Sequence, residues 1–413
     1  MEKAITVNVK LKNDFKKDNS AEELIRLCHT AGCEVAQIFD VRVEAYNPAF
    51  FIGSGKVKEI AQYAEQNSIE AVIFNDDITP AQQKNLEEYI PAKIIDRTRL
   101  ILDIFAQRAR TKEGRLQVEL AQLNYILPRL SGRGAAMMQQ KGGIGMRGPG
   151  ERKLEYDRRK IRKKISALQE DISAVQRERM VRRSQRAGVP VPQVALAGYT
   201  NAGKSTLLNA LTKRQSAYAD DKLFATLDPT TRRVHFPSGI TVLFTDTVGF
   251  IQKLPHSLVS AFRATLEETK FADLVLHILD ASSDDIQAHS ATVMGILNEI
   301  NPEGGDVLTV FNKCDAVSEI KIKALKNRFP AAVFISSKNG EGFKDLFERV
   351  EELIERKWKK RTVLIPFEKQ YLLKDIYSRM LIMKREEVKQ GTLLSFMATD
   401  GNYKALSKKL FSH

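Results

Sequence analysis

Gly198-Tyr199-Thr200-Asn201-Ala202-Gly203-Lys204-Ser205 is the stretch on which the fold turns. It satisfies G-x-x-x-x-G-K-[ST], and its flanks supply the context that gives such a match meaning. Gln193 to Ala197 is a short apolar run that reads as a buried strand, and Ser205 to Leu211 is a good helix start. Gly198 and Gly203 permit backbone angles that turn amides inward around an anion, and the dipole of the following helix favours phosphate at its N-terminus. Tyr199, Thr200, Asn201 and Ala202 form the rest of the loop, and Thr206 follows it into the helix. Lys204 is expected to meet the β- and γ-phosphates and Ser205 to ligate Mg²⁺.

Working outward, a strand from Thr241 to Thr245 delivers Asp246-Thr247-Val248-Gly249. The Asp246 carboxylate at a strand end suits Mg²⁺, through water, and the Gly249 amide suits a γ-phosphate. Between the two motifs lies Leu223-Phe224-Ala225-Thr226-Leu227-Asp228-Pro229-Thr230, read as a switch segment. Its Thr226 is chosen as the threonine that reaches both Mg²⁺ and the γ-phosphate, with Thr230 and Thr231 as alternatives. Lys204, Thr226, Asp246 and Gly249 are thus the candidate catalytic set. Base identity falls to Asn312-Lys313-Cys314-Asp315, after the apolar run Val307 to Phe311. A carboxylate at Asp315 can accept from N1 and N2 of guanine, a pair that adenine does not present, and ATP would leave it unpaired. Ser336-Ser337-Lys338, again after a strand, would close over the guanine edge. Each piece alone has a bland reading as a turn or a strand-end acid; their ordered recurrence implies a GTP- and GDP-binding hydrolase.

Two residues refine that mechanism. Phe250 stands where Ras-like enzymes carry the glutamine that orients water, and phenylalanine cannot do that job. Intrinsic hydrolysis is therefore expected to be slow and to need a partner. His256 lies close by, but a surface histidine is the simpler reading. Asn201 matches the P-loop asparagine of potassium-stimulated GTPases, which adds K⁺ as a candidate cofactor beside Mg²⁺.

The remainder of the 413 residues sets the context. The length favours two to four domains. No apolar run approaches the roughly 18 residues of a membrane span, and the N-terminus lacks an apolar secretory core, so a cytoplasmic protein is expected. Cys28, Cys33 and Cys314 show no paired spacing, which points to reduced thiols. The net charge of +14 is localised: from Arg97 to Pro190 there are 23 Lys or Arg against 9 Asp or Glu, leaving 42 against 42 elsewhere. Such concentration argues for a polyanionic partner, nucleic acid first, over a merely solvated face.

The predicted fold is α/β and multidomain. Residues 1–96 alternate short β-rich runs with amphipathic helices, giving an α/β layer domain. Residues 97–190 form a basic helical hairpin, in which Leu154, Ile161, Ile165, Leu168, Ile172 and Val175 make a narrow apolar seam. Its tip, residues 131–150, has seven glycines and no acid. There Arg133, Lys141 and Arg147 are the candidate RNA contacts, against the plain reading of a flexible linker. Residues 191–360 form the P-loop domain with a mostly parallel sheet, and 361–413 a small α/β appendage in which no chemistry is visible.

Beyond these motifs the chain resembles the HflX family of ribosome-associated GTPases over roughly residues 35 to 355. The likeness runs through Asn47-Pro48, Gly53-Ser54-Gly55-Lys56, Asp96-Arg97-Thr98, Phe105-Ala106-Gln107-Arg108-Ala109 and Gln117-Val118-Glu119-Leu120-Ala121-Gln122. It continues in Gly142-Gly143-Ile144-Gly145, Gly148-Pro149-Gly150-Glu151 and Asp246-Thr247-Val248-Gly249-Phe250-Ile251. The resemblance implies binding to the large ribosomal subunit and its RNA, with the hairpin tip near the peptidyl-transferase region, and splitting of stalled or idle ribosomes under stress. A monomer is expected. The alternatives are a ribosome-assembly GTPase and a GTP-switched RNA-binding protein. Gly53-Ser54-Gly55-Lys56 lacks full P-loop spacing and reads as a helix-start turn, so no ATP site is expected there.

Overall fold

A computed structural model describes residues 1–12, 20–130, 149–186, 191–212, 223–224, 226–252, 269–300 and 305–411. Ala225, His256 and the tip residues Arg133, Lys141 and Arg147 lie outside the described residues. The chain divides into two compact units. The first is Met1–Ala174 with Asp221–Phe224 and Gln252–Phe262, and the second is the remainder.

In the first unit β1 (Glu2–Leu11), β2 (Cys33–Val43), β3 (Ala71–Phe74) and β4 (Lys93–Ile95) form a parallel sheet in the order β2-β1-β3-β4. The central β1 is buried from Ala4 to Val9, as expected of a parallel strand covered on both faces. Helices α1 (Ser20–Ala31), α2 (Ser54–Gln66) and α3 (Pro80–Tyr89) alternate with the strands. Helix α3 is fixed at its start by a Thr79/Gln82 capping box and Pro80.

Helix α4 (Arg97–Arg108) is placed with the hairpin by its sequence, yet Leu100, Ile101, Leu102, Ile104 and Phe105 are buried and it packs on α1. Its helix-spaced apolar face serves the first domain's core. The hairpin proper therefore starts at α5 (Lys112–Arg129) and returns in α6 (Pro149–Arg186), with an ion pair from Lys164 to Glu119 spanning the two. Of the predicted seam, Leu168 and Ile172 are buried.

The second unit carries β5 (Gln193–Gly198), β6 (Thr230–His235), β7 (Thr241–Asp246), β8 (Leu274–Asp280), β9 (Val307–Asn312) and β10 (Val333–Phe334). Their order is β10-β9-β8-β5-β7-β6, parallel throughout except for β6, which runs antiparallel to β7. Helices α7 (Lys204–Leu211), α8 (Ile286–Ile300), α9 (Glu319–Arg328) and α10 (Phe343–Lys357) connect them. Val194, Leu196, Val242, Phe244, Leu276 and Ile278 form the centre of the core.

Strand β11 (Trp358–Pro366) leads into a three-stranded antiparallel sheet with β13 (Gly391–Thr399) in the middle and β12 (Leu381–Val388) at the edge. Helices α11 (Leu372–Arg379) and α12 (Asp400–Phe411) bury Leu372, Ile376, Leu406 and Leu410 in that appendage's own core. No helix of the described residues is long and apolar enough to cross a membrane.

Candidate functional site

The site gathers at the carboxyl ends of the parallel strands, where open α/β sheets bind ligands. Strand β5 ends in Gly198, where a Cβ would strike the Ile278 carbonyl of β8, so only glycine fits. At the other end of the loop Gly203 takes φ +90°, and a Cβ there would collide with the Asn312 side-chain amide. Asn201 also takes a left-handed φ, +60°. The Lys204 ammonium is buried and donates to the carbonyls of Gly198 (3.0 Å) and Tyr199 (2.8 Å). Burial pushes its pKa down to about 8, and the nearby Asp246 opposes the shift.

Strand β7 delivers Asp246. Its Oδ2 accepts from the Ser205 hydroxyl at 2.6 Å and from Thr226 at 2.8 Å, and the two hydroxyls lie 2.9 Å apart. Among the three switch threonines left open by the sequence, the structure therefore brings Thr226 to this cluster. Thr230 and Thr231 enter β6 instead, where the Thr231 hydroxyl pairs with that of Thr245 at 2.9 Å. Asp246 Oδ1 is buried without a hydrogen-bond partner among the described residues. Burial raises the Asp246 carboxyl despite Lys204, Ser205, Thr226 and the Thr247 amide. Two hydroxyls and one carboxylate, whose second oxygen is orphaned, are hard oxygen donors of the kind Mg²⁺ takes.

The next residues close the phosphate side. The Thr247 hydroxyl donates to the Leu196 carbonyl at 2.7 Å, tying this turn to β5. Val248 is buried, and Gly249 lies so near the P-loop that a Cβ would come within 2.8 Å of Thr200 Cα. Phe250, buried at 3% exposure, forms a backbone bridge with the loop. Its amide donates to Gly198 at 3.2 Å, and its carbonyl accepts from Thr200 at 2.7 Å. Phe224 is not part of the oxygen cluster; within the first unit its ring meets Phe105 edge-on at 4.6 Å. Leu227 is buried and Asp228 half-buried.

The base side is held by Asn312. Its Nδ2 donates to the Ala202 carbonyl at 2.9 Å, and its Oδ1 accepts from the Ser337 amide at 3.0 Å, joining the P-loop to the loop after β10. Asp315 accepts from the Ser336 hydroxyl at 2.6 Å, which orients the carboxylate. Cys314 is half-buried with its thiol raised by burial, so it packs rather than reacts. Lys338 is exposed. Lys313 takes φ +62°, and its ammonium pairs with Asp280 at 2.7 Å.

Asp280, at the end of β8, was missed by the sequence reading, although an acid closing the apolar run Leu274 to Leu279 beside a base loop is a detectable signal. The stack of Tyr199 on His289, 3.8 Å between ring centroids, had no signal at all. Elsewhere, Asp96 receives the Tyr125 hydroxyl and Arg129, both at 2.9 Å, which fastens the end of α5 to the first domain.

Known proteins resemble this chain over most of its length. Family models described as "GTP-binding GTPase N-terminal", "GTP-binding GTPase Middle Region", "50S ribosome-binding GTPase" and "HflX C-terminal domain" match residues 18–106, 108–186, 193–313 and 319–412 in turn. A GTPase HflX from Caldanaerobacter subterraneus subsp. tengcongensis is 48% identical over 352 residues, covering 85% of this chain and 81% of its own. One from Escherichia coli (strain K12) is 40% identical over 394 residues, covering 95% and 92%. A solved GTP-binding protein from Sulfolobus solfataricus in complex with GDP superposes with a TM-score of 0.47 at 22% identity, covering 86% of this chain and 99% of its own.

Proposed function

The chain belongs to the HflX family of GTPases, and from that premise we propose that its GTP-bound state docks on the large ribosomal subunit and promotes splitting of stalled or idle ribosomes, under stress above all. The observation that carries the switch reading is the meeting of Ser205, Thr226 and Asp246 at one point. A threonine from the switch segment and an acid from Asp246-Thr247-Val248-Gly249 share one cluster there, so γ-phosphate chemistry at that point is felt by both segments. The ribosomal part draws support from the description "50S ribosome-binding GTPase" that matches 193–313. The localisation of the whole +14 between Arg97 and Pro190, around the hairpin, supports it too.

In the proposed mechanism Lys204 and the P-loop amides hold the phosphates, and Ser205, Thr226 and Asp246, the last through water, would hold Mg²⁺. A Mg²⁺ ion held there would supply positive charge against the phosphates. The Gly249 amide reads the γ-phosphate, and Asp315 with Lys313 reads guanine while Ser336, Ser337 and Lys338 close its edge. Hydrolysis adds water to the γ-phosphorus and breaks its bond to the β-bridging oxygen, releasing GDP and phosphate. Phe250 has no polar atom to orient that water, so turnover alone is slow and the ribosome completes the site. Arg133, Lys141 and Arg147 contact ribosomal RNA, and the protein acts in the cytoplasm as a monomer. Asn201 assists by binding K⁺; equal turnover in potassium and sodium overturns that part.

Sedimentation of intact ribosomes with the protein and GTP or a non-hydrolysable analogue tests the main reading. Free subunits are expected with either nucleotide, and none with GDP. Intact ribosomes in every case sink it.

A further inference from the structure

The loop between β8 and α8, residues 281–285, grips both halves of the nucleotide site without containing any residue of the recognised motifs. On the base side it follows Asp280, which holds Lys313, and the Ala281 amide donates to the Asn312 carbonyl at 2.9 Å. Lys321 fastens the loop by donating to the carbonyls of Ser282 (3.3 Å) and Ser283 (3.2 Å). On the phosphate side α8 presents His289, whose ring lies face to face with Tyr199 at 3.8 Å and 17° between planes. The Ser283 hydroxyl, 3.4 Å from His289 Nδ1, orients the imidazole from the same loop.

Tyr199 is tied into the P-loop from several sides. Its carbonyl accepts from Lys204 at 2.8 Å and from the Ala202 amide at 3.3 Å. It also forms the bridge to Phe250, the residue that follows Gly249. The Tyr199 side chain is 6% exposed, and a flat ring at 3.8 Å restricts its rotation. Whatever fixes this ring fixes the first turn of the phosphate cradle and its junction with the γ-phosphate-reading segment.

We propose that His289 is a positioning residue for nucleotide binding, stacking on Tyr199 to hold the P-loop in its phosphate-receiving shape. This rests on the assignment of Gly198–Ser205 as the phosphate site. The role belongs to the flat ring rather than to its proton, so phenylalanine substitutes for it and alanine does not. An aromatic stack of this kind converts to roughly a 2- to 12-fold effect on an equilibrium.

The experiment titrates the full-length protein with fluorescent GDP and a fluorescent non-hydrolysable GTP analogue, comparing His289→Ala, His289→Phe, Tyr199→Ala and the double alanine variant. His289→Ala is expected to raise Kd for both nucleotides within that range and to speed their release. His289→Phe is expected to stay within about twofold of the parent. The double variant should match Tyr199→Ala alone, because both act through one contact. Unchanged affinity in His289→Ala, an equal loss in His289→Phe, or additive losses in the double variant each overturn the proposal. Should alanine at 289 unfold the protein, His289→Leu against His289→Phe decides, and equal affinities overturn it. Lys204→Ala separates the two readings: if it binds nucleotide as tightly as the parent, the assignment of the phosphate site has failed rather than the brace.

Discussion

His277 sits in the middle of β8, in register with Ala197 on the P-loop strand and Thr309 on β9. It is 1% exposed, and its Nε2 has no hydrogen-bond partner among the described residues. Desolvation therefore falls on the imidazolium, and burial pushes the pKa down from 6.5 to about 4. The sign follows from proton counting. Below 6.5 the unfolded chain takes up a proton at this position, whereas the folded chain refuses it until about pH 4. Stability is full above 6.5, declines as pH falls and levels off below 4. The gap, at 1.36 kcal/mol per pH unit, sets a ceiling of about 3 kcal/mol, a large share of the 5–15 kcal/mol typical of a whole domain. The single tryptophan of the chain, Trp358, is buried in the core that contains Leu276 and Ile278 on either side of His277. Its fluorescence in urea at pH 7, 6 and 5 therefore follows the relevant domain. His277→Leu should flatten the dependence, with the parent losing on the order of 1–2 kcal/mol more than the variant between pH 7 and 5. Parallel curves for the two proteins would refute the assignment of a buried neutral imidazole.

Gly203→Ala places a methyl group against the Asn312 amide in a backbone conformation that costs an L-residue roughly 1–2 kcal/mol. GDP affinity should fall at least about tenfold while Trp358 fluorescence stays native, and unchanged affinity contradicts the geometry. Asp315→Asn replaces an acceptor with an amide, so GDP binding should drop on the order of a hundredfold. Xanthosine diphosphate, which carries a carbonyl where guanine has its amino group, should gain, and an unaltered preference in competition titrations refutes the base-reading role. Thr226→Ala should weaken the GTP analogue far more than GDP and lower turnover, with Thr226→Ser retaining most of both. An equal loss for both nucleotides returns the choice to Thr230 or Thr231.

The ordered motifs made the second unit legible, because each is a strand end or helix start whose conformation is local. Strand Ala71–Phe74 and helix Pro80–Tyr89 were readable for the same reason: a four-residue apolar run and a capped, proline-led start need no distant partner. Helix α4 was harder. Its apolar spacing announces a buried face but not against what, and only packing on α1 assigns it to the first domain. Strand β12 and helix α12 carry no such local signal, because Lys384-Arg385-Glu386-Glu387 lies on an exposed edge and Asp400–Phe411 begins directly from β13 with no turn residues between. The candidate site shows the same division. Residues assigned to the nucleotide lie in recognisable runs, while the contacts that hold them, Asp280 on Lys313 and His289 on Tyr199, depend on chain brought from 33 and 90 positions away.

The buried acid Asp96 shows why the basic hairpin needs such distant support. A carboxylate with no side-chain exposure is costly, and burial raises its pKa even though the Arg99 amide, Arg129 and the Tyr125 hydroxyl oppose the shift. Its cost is offset by two tasks performed at once. One oxygen caps α4 through the Arg99 amide at 2.8 Å and receives Tyr125, while the other receives Arg129 at 2.9 Å. The Arg129 guanidinium also lies 3.6 Å over the Tyr125 ring and donates to the Ile78 carbonyl at 2.8 Å. These contacts converge on the last turn of α5, where the chain leaves for residues 131–150. A surface ion pair at that point would contribute little and loosen with salt; a buried, doubly used acid does not loosen in that way. The chain therefore enters residues 131–150 from a fixed root at the end of α5.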